Sequence, residues 1–100
     1  MFGAPVGNTT ITTSTQVVPR NYHARLFNIN FQASGTSTTV KFLSGGTTGT
    51  LVVQEQNSSS NPKTVDFGIN GYEFPNGIYV LLDAQTLQVT LQYRQEESNT

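Results

Sequence analysis

Apolar and polar residues alternate with a spacing of two along most of this chain. The clearest example is a run of four apolar residues separated by Asn and Gln: Phe27, Ile29, Phe31 and Ala33. Alternation of this kind places the apolar side chains on one face of a strand and the polar side chains on the other. No stretch of about ten residues follows the three-to-four spacing of a helix. The pattern therefore predicts an all-β chain.

A glycine-rich loop predicts the first hairpin, which joins residues 39–43 with residues 50–55. Opposing Phe42 to Leu51 gives the two strands one common apolar face.

A second turn is predicted at Asn70-Gly71, because this pair is favoured in two-residue type I′ turns. With that turn Phe67 pairs with Phe74. The register predicts positive φ at both central residues and a buried pair of phenylalanine rings.

A last hairpin is predicted between residues 77–82 and residues 87–93. Opposing these strands gives one continuous apolar face, whereas Tyr79 and Leu81 lie on the reverse face. A strand that is apolar on both faces is either central in its sheet or covered by another subunit.

These elements predict an antiparallel β-sandwich, jelly-roll-like, of about eight strands. Residues 21–95 form the sandwich and residues 96–100 a polar C-terminal tail. Residues 1–20 are expected to be an extended N-terminal arm, since the stretch 8–16 is rich in Thr and holds a single large apolar residue. Three apolar residues are its candidate anchors to a neighbouring chain: Ile11, Val17 and Val18.

Composition narrows the range of functions. Thr, Ser, Asn and Gln make up 40 of the 100 residues, whereas charged residues make up 11% and the formal net charge is −1. Uncharged polar side chains are less costly to bury than ions, which suits a chain covered by partners. Cysteine is absent, His23 is the single histidine, and the five Lys and Arg residues are scattered. Disulfides, a metal centre, a cofactor and a nucleic-acid partner are therefore not expected.

Other features argue against a membrane protein and an enzyme. The first residues have neither the basic start nor the apolar run of a secretion signal, and no apolar run is long enough to span a membrane, so synthesis in the cytoplasm is expected.

Asp66 and Glu73 fall on one face in the predicted register, as paired carboxylates do in glycosidases. A simpler interpretation is that both carboxylates are ordinary polar side chains on the outer face of a sheet. An enzyme is not expected.

Exposed aromatic side chains on a small sandwich can also stack on sugars, and Tyr22, Tyr79 and Tyr93 are candidates. The sequence leaves this alternative open. His23, next to Tyr22, is expected to be a surface or interface residue.

Three segments carry a further pattern: residues 25–29 (RLFNI), 71–80 (GYEFPNGIYV) and 89–93 (VTLQY). Together they resemble small virion structural proteins of tailed bacteriophages. In those proteins a strand beginning Arg-Leu or Arg-Val leads to a Gly-rich hairpin, then Phe-x-Asn-Gly-Ile-Tyr-Val, then a closing Val-Thr-Val-x-Tyr strand. The resemblance spans about residues 25–93.

The resemblance implies a jelly-roll-like building block of the particle, with no catalytic residues. A capsid decoration or cement protein is the favoured role, bound to the major capsid protein or another virion protein as a symmetric homo-oligomer, often a trimer. The expected location is the virion, assembled in the host cytoplasm. Tail, neck and fibre-associated proteins share similar sandwiches, and a carbohydrate-binding module is the other alternative. The candidate interface residues are Ile11, Val17, Val18, Tyr22, His23, Tyr79 and Leu81.

Overall fold

The computed structural model describes residues 7–35 and 37–98, and these residues form strands and loops without a helix. The described residues contain nine strands: β1 Gly7–Ile11, β2 Thr15–Val18, β3 Tyr22–Ala33, β4 Thr38–Ser44, β5 Thr50–Asn57, β6 Lys63–Asp66, β7 Tyr72–Phe74, β8 Ile78–Leu82 and β9 Thr86–Ser98.

The strands form two antiparallel sheets that pack into a sandwich. The five-stranded sheet has the order β1-β9-β3-β6, with β7 also paired to β3, and the four-stranded sheet has the order β2-β8-β4-β5. The pairings are nested: β4 with β5, β3 with β6 and β7, β2 with β8, and β1 with β9. A long antiparallel hairpin rolled across two sheets gives this order, which is that of a jelly roll. The predicted fold class is confirmed.

The core lies between the two sheets and is built from the inward residues of alternating strands. Most of the residues that alternation assigns to the core are buried there. The buried cluster consists of Ile11, Val18, Ala24, Leu26, Ile29, Phe31, Val40, Phe42, Val53, Phe74, Ile78, Val80, Val89 and Leu91.

A β-bulge in β3 reverses the alternation and makes the prediction for Phe27 wrong. Between Leu26 and Asn28 the register against β9 shifts by one residue. Leu26 and Ile29 therefore both face the core, while Phe27 faces outward and lies under the guanidinium of Arg94, 5.3 Å from its ring centroid. An inserted residue changes the face of every residue on one side of it.

A second bulge makes the predicted register of the first hairpin wrong. β4 and β5 do pair, but Phe42 lies opposite Val53, and Leu43 lies opposite Leu51. Leu51, predicted to be in the core, is consequently 48% exposed.

The hairpin predicted at Asn70-Gly71 is not formed. β6 and β7 each pair with β3 and not with each other, so the Phe67–Phe74 pairing is wrong. Gly71 does have positive φ, at 62°, whereas Asn70 does not, which excludes a type I′ turn. The backbone N–H of Phe67 instead donates to the carbonyl of Phe27, at 2.9 Å.

The last predicted hairpin is also wrong, because β8 and β9 belong to different sheets. The chain crosses from one sheet to the other through residues 83–85. The inward side chains of both strands still meet in the core, since strands that face each other across a sandwich show the same alternation as paired strands. β8 lies between β2 and β4, so its two-sided apolar pattern is that of a central strand.

The structure corrects the predicted arm as well. β1 pairs with β9, and β2 pairs with β8, so residues 7–18 supply one edge strand to each sheet. Thr is β-branched and suits such strands, where one face meets solvent and the other meets the core. At the other end, residues 96–98 continue β9 and are not a tail. Residues 1–6 and 99–100 of the two predicted segments lie outside the described residues.

Candidate interaction surfaces

The seven predicted interface residues do not form one surface. Ile11 is 7% exposed and Val18 is fully buried, so both belong to the core of their own chain. Val17 and Tyr22 are partly buried against that core. The assignments of Ile11 and Val18 are corrected, because edge strands hold these two residues inside the domain. Val17, Tyr22, His23, Tyr79 and Leu81 remain predictions, and they do not share one face.

The outer face of the four-stranded sheet carries an apolar patch, which we name the β8 patch: Leu43, Leu51, Tyr79 and Leu81. Strand pairing places Tyr79 opposite Leu43 and Leu43 opposite Leu51, so three side chains form a row across β8, β4 and β5. Leu43 is only 7% exposed although it is not part of the core cluster. Leu51 and Leu81 are 48% and 38% exposed. The outer face therefore has a small apolar cluster of its own.

Sequence reasoning found half of the β8 patch. Tyr79 and Leu81 are visible in the sequence because they alternate with buried residues on a strand that is apolar on both faces. Leu51 was missed because a bulge in β5 turns it outward, whereas Leu43 faces outward by regular alternation after Phe42. The two consecutive apolar residues at 42 and 43 are the one signal that could have indicated an outward leucine.

The outer face of the five-stranded sheet is polar, and its charged side chains lie mainly toward one end. Its side chains form rows across the strands, which we call the polar ladder: Asn8, Thr10, Asn28, Asn30, Gln32, Thr64, Gln88, Thr90 and Gln92. The hydroxyls of Thr10 and Thr90 hydrogen-bond at 2.8 Å, and the amide of Asn30 donates to the hydroxyl of Thr64 at 2.7 Å. Such cross-strand pairs stabilise a sheet from within the chain.

An ionic cluster lies at one end of this face, where β3 meets β7 and β9. His23 Nε2 contacts Glu73, and His23 Nδ1 lies 2.9 Å from Glu96 Oε1. Arg94 and Arg25 lie 3.8 and 4.0 Å from the other oxygen of Glu96. Both ring nitrogens therefore lie against carboxylates of the same chain. His23 is thus held by its own chain.

The carboxylates considered as a catalytic pair have separate structural partners. Asp66 accepts a hydrogen bond from the backbone N–H of Gly68 at 2.9 Å, whereas Glu73 contacts His23. Asp66 lies opposite Asn28 and Glu73 opposite Arg25 along β3.

Asp83 organises the crossing between β8 and β9. Its Oδ1 accepts hydrogen bonds from the Thr38 hydroxyl at 2.7 Å, the Gln85 backbone N–H at 2.9 Å and the Thr86 hydroxyl at 3.1 Å. Its Oδ2 accepts from the Thr39 backbone N–H at 2.9 Å. Burial raises the pKa of this carboxyl, but the four hydrogen bonds outweigh burial and lower the pKa below its ordinary value.

Three loops line an open cleft of about 610 Å³ at one end of the sandwich, which we name the loop cleft. The turn after β2, the β4–β5 loop and the turn before β8 form its walls. The backbone N–H of Asn76 donates to the Ser44 hydroxyl at 3.0 Å, which ties two of these loops together. A Cβ atom on Gly49 would lie 2.3 Å from the Ser44 carbonyl, so the backbone there packs as closely as glycine allows. The lining residues are Arg20, Asn21, Ser44, Gly45, Gly46, Thr48, Gly49, Thr50 and Asn76.

Comparisons of this chain with protein-family models, curated proteins and solved structures gave no match. Within residues 7–35 and 37–98, no group of His, Cys, Asp and Glu side chains is arranged to hold a metal ion. The same residues contain no helix of the length and apolarity that crossing a membrane requires.

Proposed function

We propose that this protein is a non-enzymatic structural subunit of a tailed-bacteriophage particle, with capsid decoration or cement as its role. In this role it forms a symmetric homo-oligomer, with a trimer favoured, that binds and stabilises the shell of the major capsid protein. Two features support the proposal besides the β8 patch. The chain resembles small virion proteins over about residues 25–93, and the jelly roll is a fold that viral capsid domains use, as lectin domains and cupins also do.

The observation that carries the proposal is the difference between the two outer faces. The polar ladder satisfies many of its hydrogen-bonding groups by its own cross-strand bonds, and it suits contact with water. The β8 patch instead presents Leu51, Tyr79 and Leu81 on a sheet face that a monomer would leave in water. A contiguous apolar patch on a small domain marks a contact surface.

The β8 patch is assigned to the contact between copies of this chain. None of its four residues is acidic, and Lys41 lies opposite Leu81. Bringing several copies of such a surface together therefore opposes few like charges, and it buries leucine and tyrosine side chains of the kind that form interface centres.

A pair of leucine variants tests this assignment. Leu51 in the β8 patch and Leu87 at the start of β9 are both 48% exposed, but only Leu51 belongs to the patch. We expect native mass spectrometry and sedimentation to show an oligomer for the wild type and for Leu87→Asp, and a monomer for Leu51→Asp. Circular dichroism should show the same β-structure for all three proteins.

The particle role is tested by binding. Particles stripped of this protein should take up the wild type and the Leu87→Asp variant at one oligomer per site, and electron cryomicroscopy of the intact particle should locate the sandwich on the shell. A wild-type monomer that binds no shell protein would refute the proposed function. An oligomer that forms equally well with Leu51→Asp would refute only the assignment of the patch.

A further inference from the structure

The loop cleft has a single cationic side chain in its lining. Arg20 is the one charged side chain among the described residues that line it. The ion pairs of the described residues involve His23, Arg25, Lys63 and Arg94 but not Arg20. The stem of Arg20 lies along the β4–β5 loop, where its Cδ would be 3.3 Å from a Cβ at Gly46. Its guanidinium is therefore placed at the cleft, and no carboxylate that the structure describes forms an ion pair with it.

The rest of the lining is made of hydroxyl and backbone groups. The Ser44 hydroxyl accepts from the Asn76 backbone N–H, so its own proton is left to donate to another acceptor. Thr48 and Thr50 are exposed at the rim, and a hydroxyl group both donates and accepts. Gly46 and Gly49 of the loop are partly exposed and contribute backbone to the lining.

We propose that the loop cleft binds an acidic saccharide, with the carboxylate on Arg20 and the sugar hydroxyls on Ser44, Thr48, Thr50 and the loop backbone. A guanidinium fork matches the two oxygens of a carboxylate. One Arg with no Lys balances a single negative charge, whereas a phosphate carries about 1.5 to 2 charges at neutral pH. The cleft volume of about 610 Å³ has room for a small saccharide. This inference does not depend on the proposed particle role.

Titration of the full-length ¹⁵N-labelled protein with D-glucuronate tests the proposal. We expect saturable changes of the amide resonances of Gly45, Gly46 and Gly49, with an affinity of about 1 mM, as for a small ligand held by few polar contacts. Glucose lacks the carboxylate and acetate lacks the hydroxyls, so each should bind at least about tenfold more weakly. Equal binding of acetate would reduce the cleft to a general anion site and overturn the saccharide assignment. Tighter binding of glucose 6-phosphate would overturn the carboxylate assignment.

Two charge-removing variants locate the site. Arg20→Gln removes a charged hydrogen-bond donor and should weaken glucuronate binding about 10- to 100-fold. Lys41→Gln removes a cation on β4 outside the cleft lining and should bind like the wild type. The unliganded amide spectrum of each variant reports its fold directly. A folded Arg20→Gln protein with unchanged affinity, or no perturbation of the glycine amides by any of the four probes, would refute the proposal.

Discussion

At the scale of single residues, Asp83 joins the two sheets. It accepts hydrogen bonds from Thr38 and Thr39 in β4 and from Thr86 in β9, which lie in different sheets. Because these bonds lower its pKa, the stabilisation by Asp83 is fully present above the ordinary carboxyl pKa of about 4 and is lost as the pH falls through the lowered folded-state pKa.

The Asp83→Asn variant tests this effect. Urea unfolding at pH 7 should show a loss of about 1 kcal/mol or less, since Asp83 is exposed and solvent screens it. The difference between the two proteins should shrink at pH 3, because this pH lies below the ordinary carboxyl pKa and part of the stabilisation is lost there. A difference of the same size at both pH values would mean that the charge of Asp83 contributes nothing.

Two glycines with positive φ allow the cost of backbone strain to be measured apart from the cost of a steric clash. Gly68 has φ 88° and open space where a Cβ would lie, whereas Gly71 has φ 62° and a Cβ there would lie 2.4 Å from the Leu26 carbonyl. Gly68→Ala should cost only the left-handed strain of about 1–2 kcal/mol. Gly71→Ala should cost more, because β7 must also move away from β3. Thermal melting should place Gly71→Ala at least about 5 °C below Gly68→Ala.

Equal melting temperatures for the two glycine variants would show that β7 moves away from Leu26 at little cost. In that case β7 would not be a fixed part of the five-stranded sheet.

At the scale of the element, alternation predicted which side chains face inward but not which strands pair. The core contains four residues of the predicted last hairpin, as expected: Ile78, Val80, Val89 and Leu91. The residues at 78 and 80 nevertheless lie in the four-stranded sheet, and those at 89 and 91 lie in the five-stranded sheet. Burial depends on the periodicity of each strand alone. Pairing depends on the path of the whole chain, and a short connection suits both a hairpin and a crossing between sheets.

Bulges account for the remaining errors at this scale, and they also shaped the candidate site. One extra residue in β3 moved Phe27 out of the core, and another between β4 and β5 moved Leu51 into the β8 patch. A bulge depends on local backbone geometry and strand twist, and it leaves no periodic signal. Tyr79 and Leu81 were predictable because β8 is regular, whereas the loop cleft joins residues distant in sequence, and no local pattern indicates it.

At the scale of the whole molecule, nested pairing places the two ends of the described chain side by side. Among the strands that the structure describes, β1 pairs with β9 alone, and β2 with β8 alone. The N-terminal strands therefore close the roll at one edge of each sheet. Ile11 and Val18 of these strands belong to the buried core cluster.

This closure predicts the outcome of removing residues 1–16. The deletion removes β1 and half of β2, takes Ile11 from the core and leaves the β9 edge unpaired. Burial of one isoleucine is worth about 1.5–3 kcal/mol, and the stability of a domain this size is about 5–15 kcal/mol. With the strand pairing lost as well, we expect the melting temperature to fall by at least about 10 °C and particle binding to fall with it. Ile11→Ala should reproduce part of the loss, whereas Thr12→Ala, at an exposed position between β1 and β2, should leave melting unchanged. A truncated protein that melts like the wild type but no longer attaches to the particle would restore the extended arm, and the pairing of β1 with β9 would then have to be abandoned.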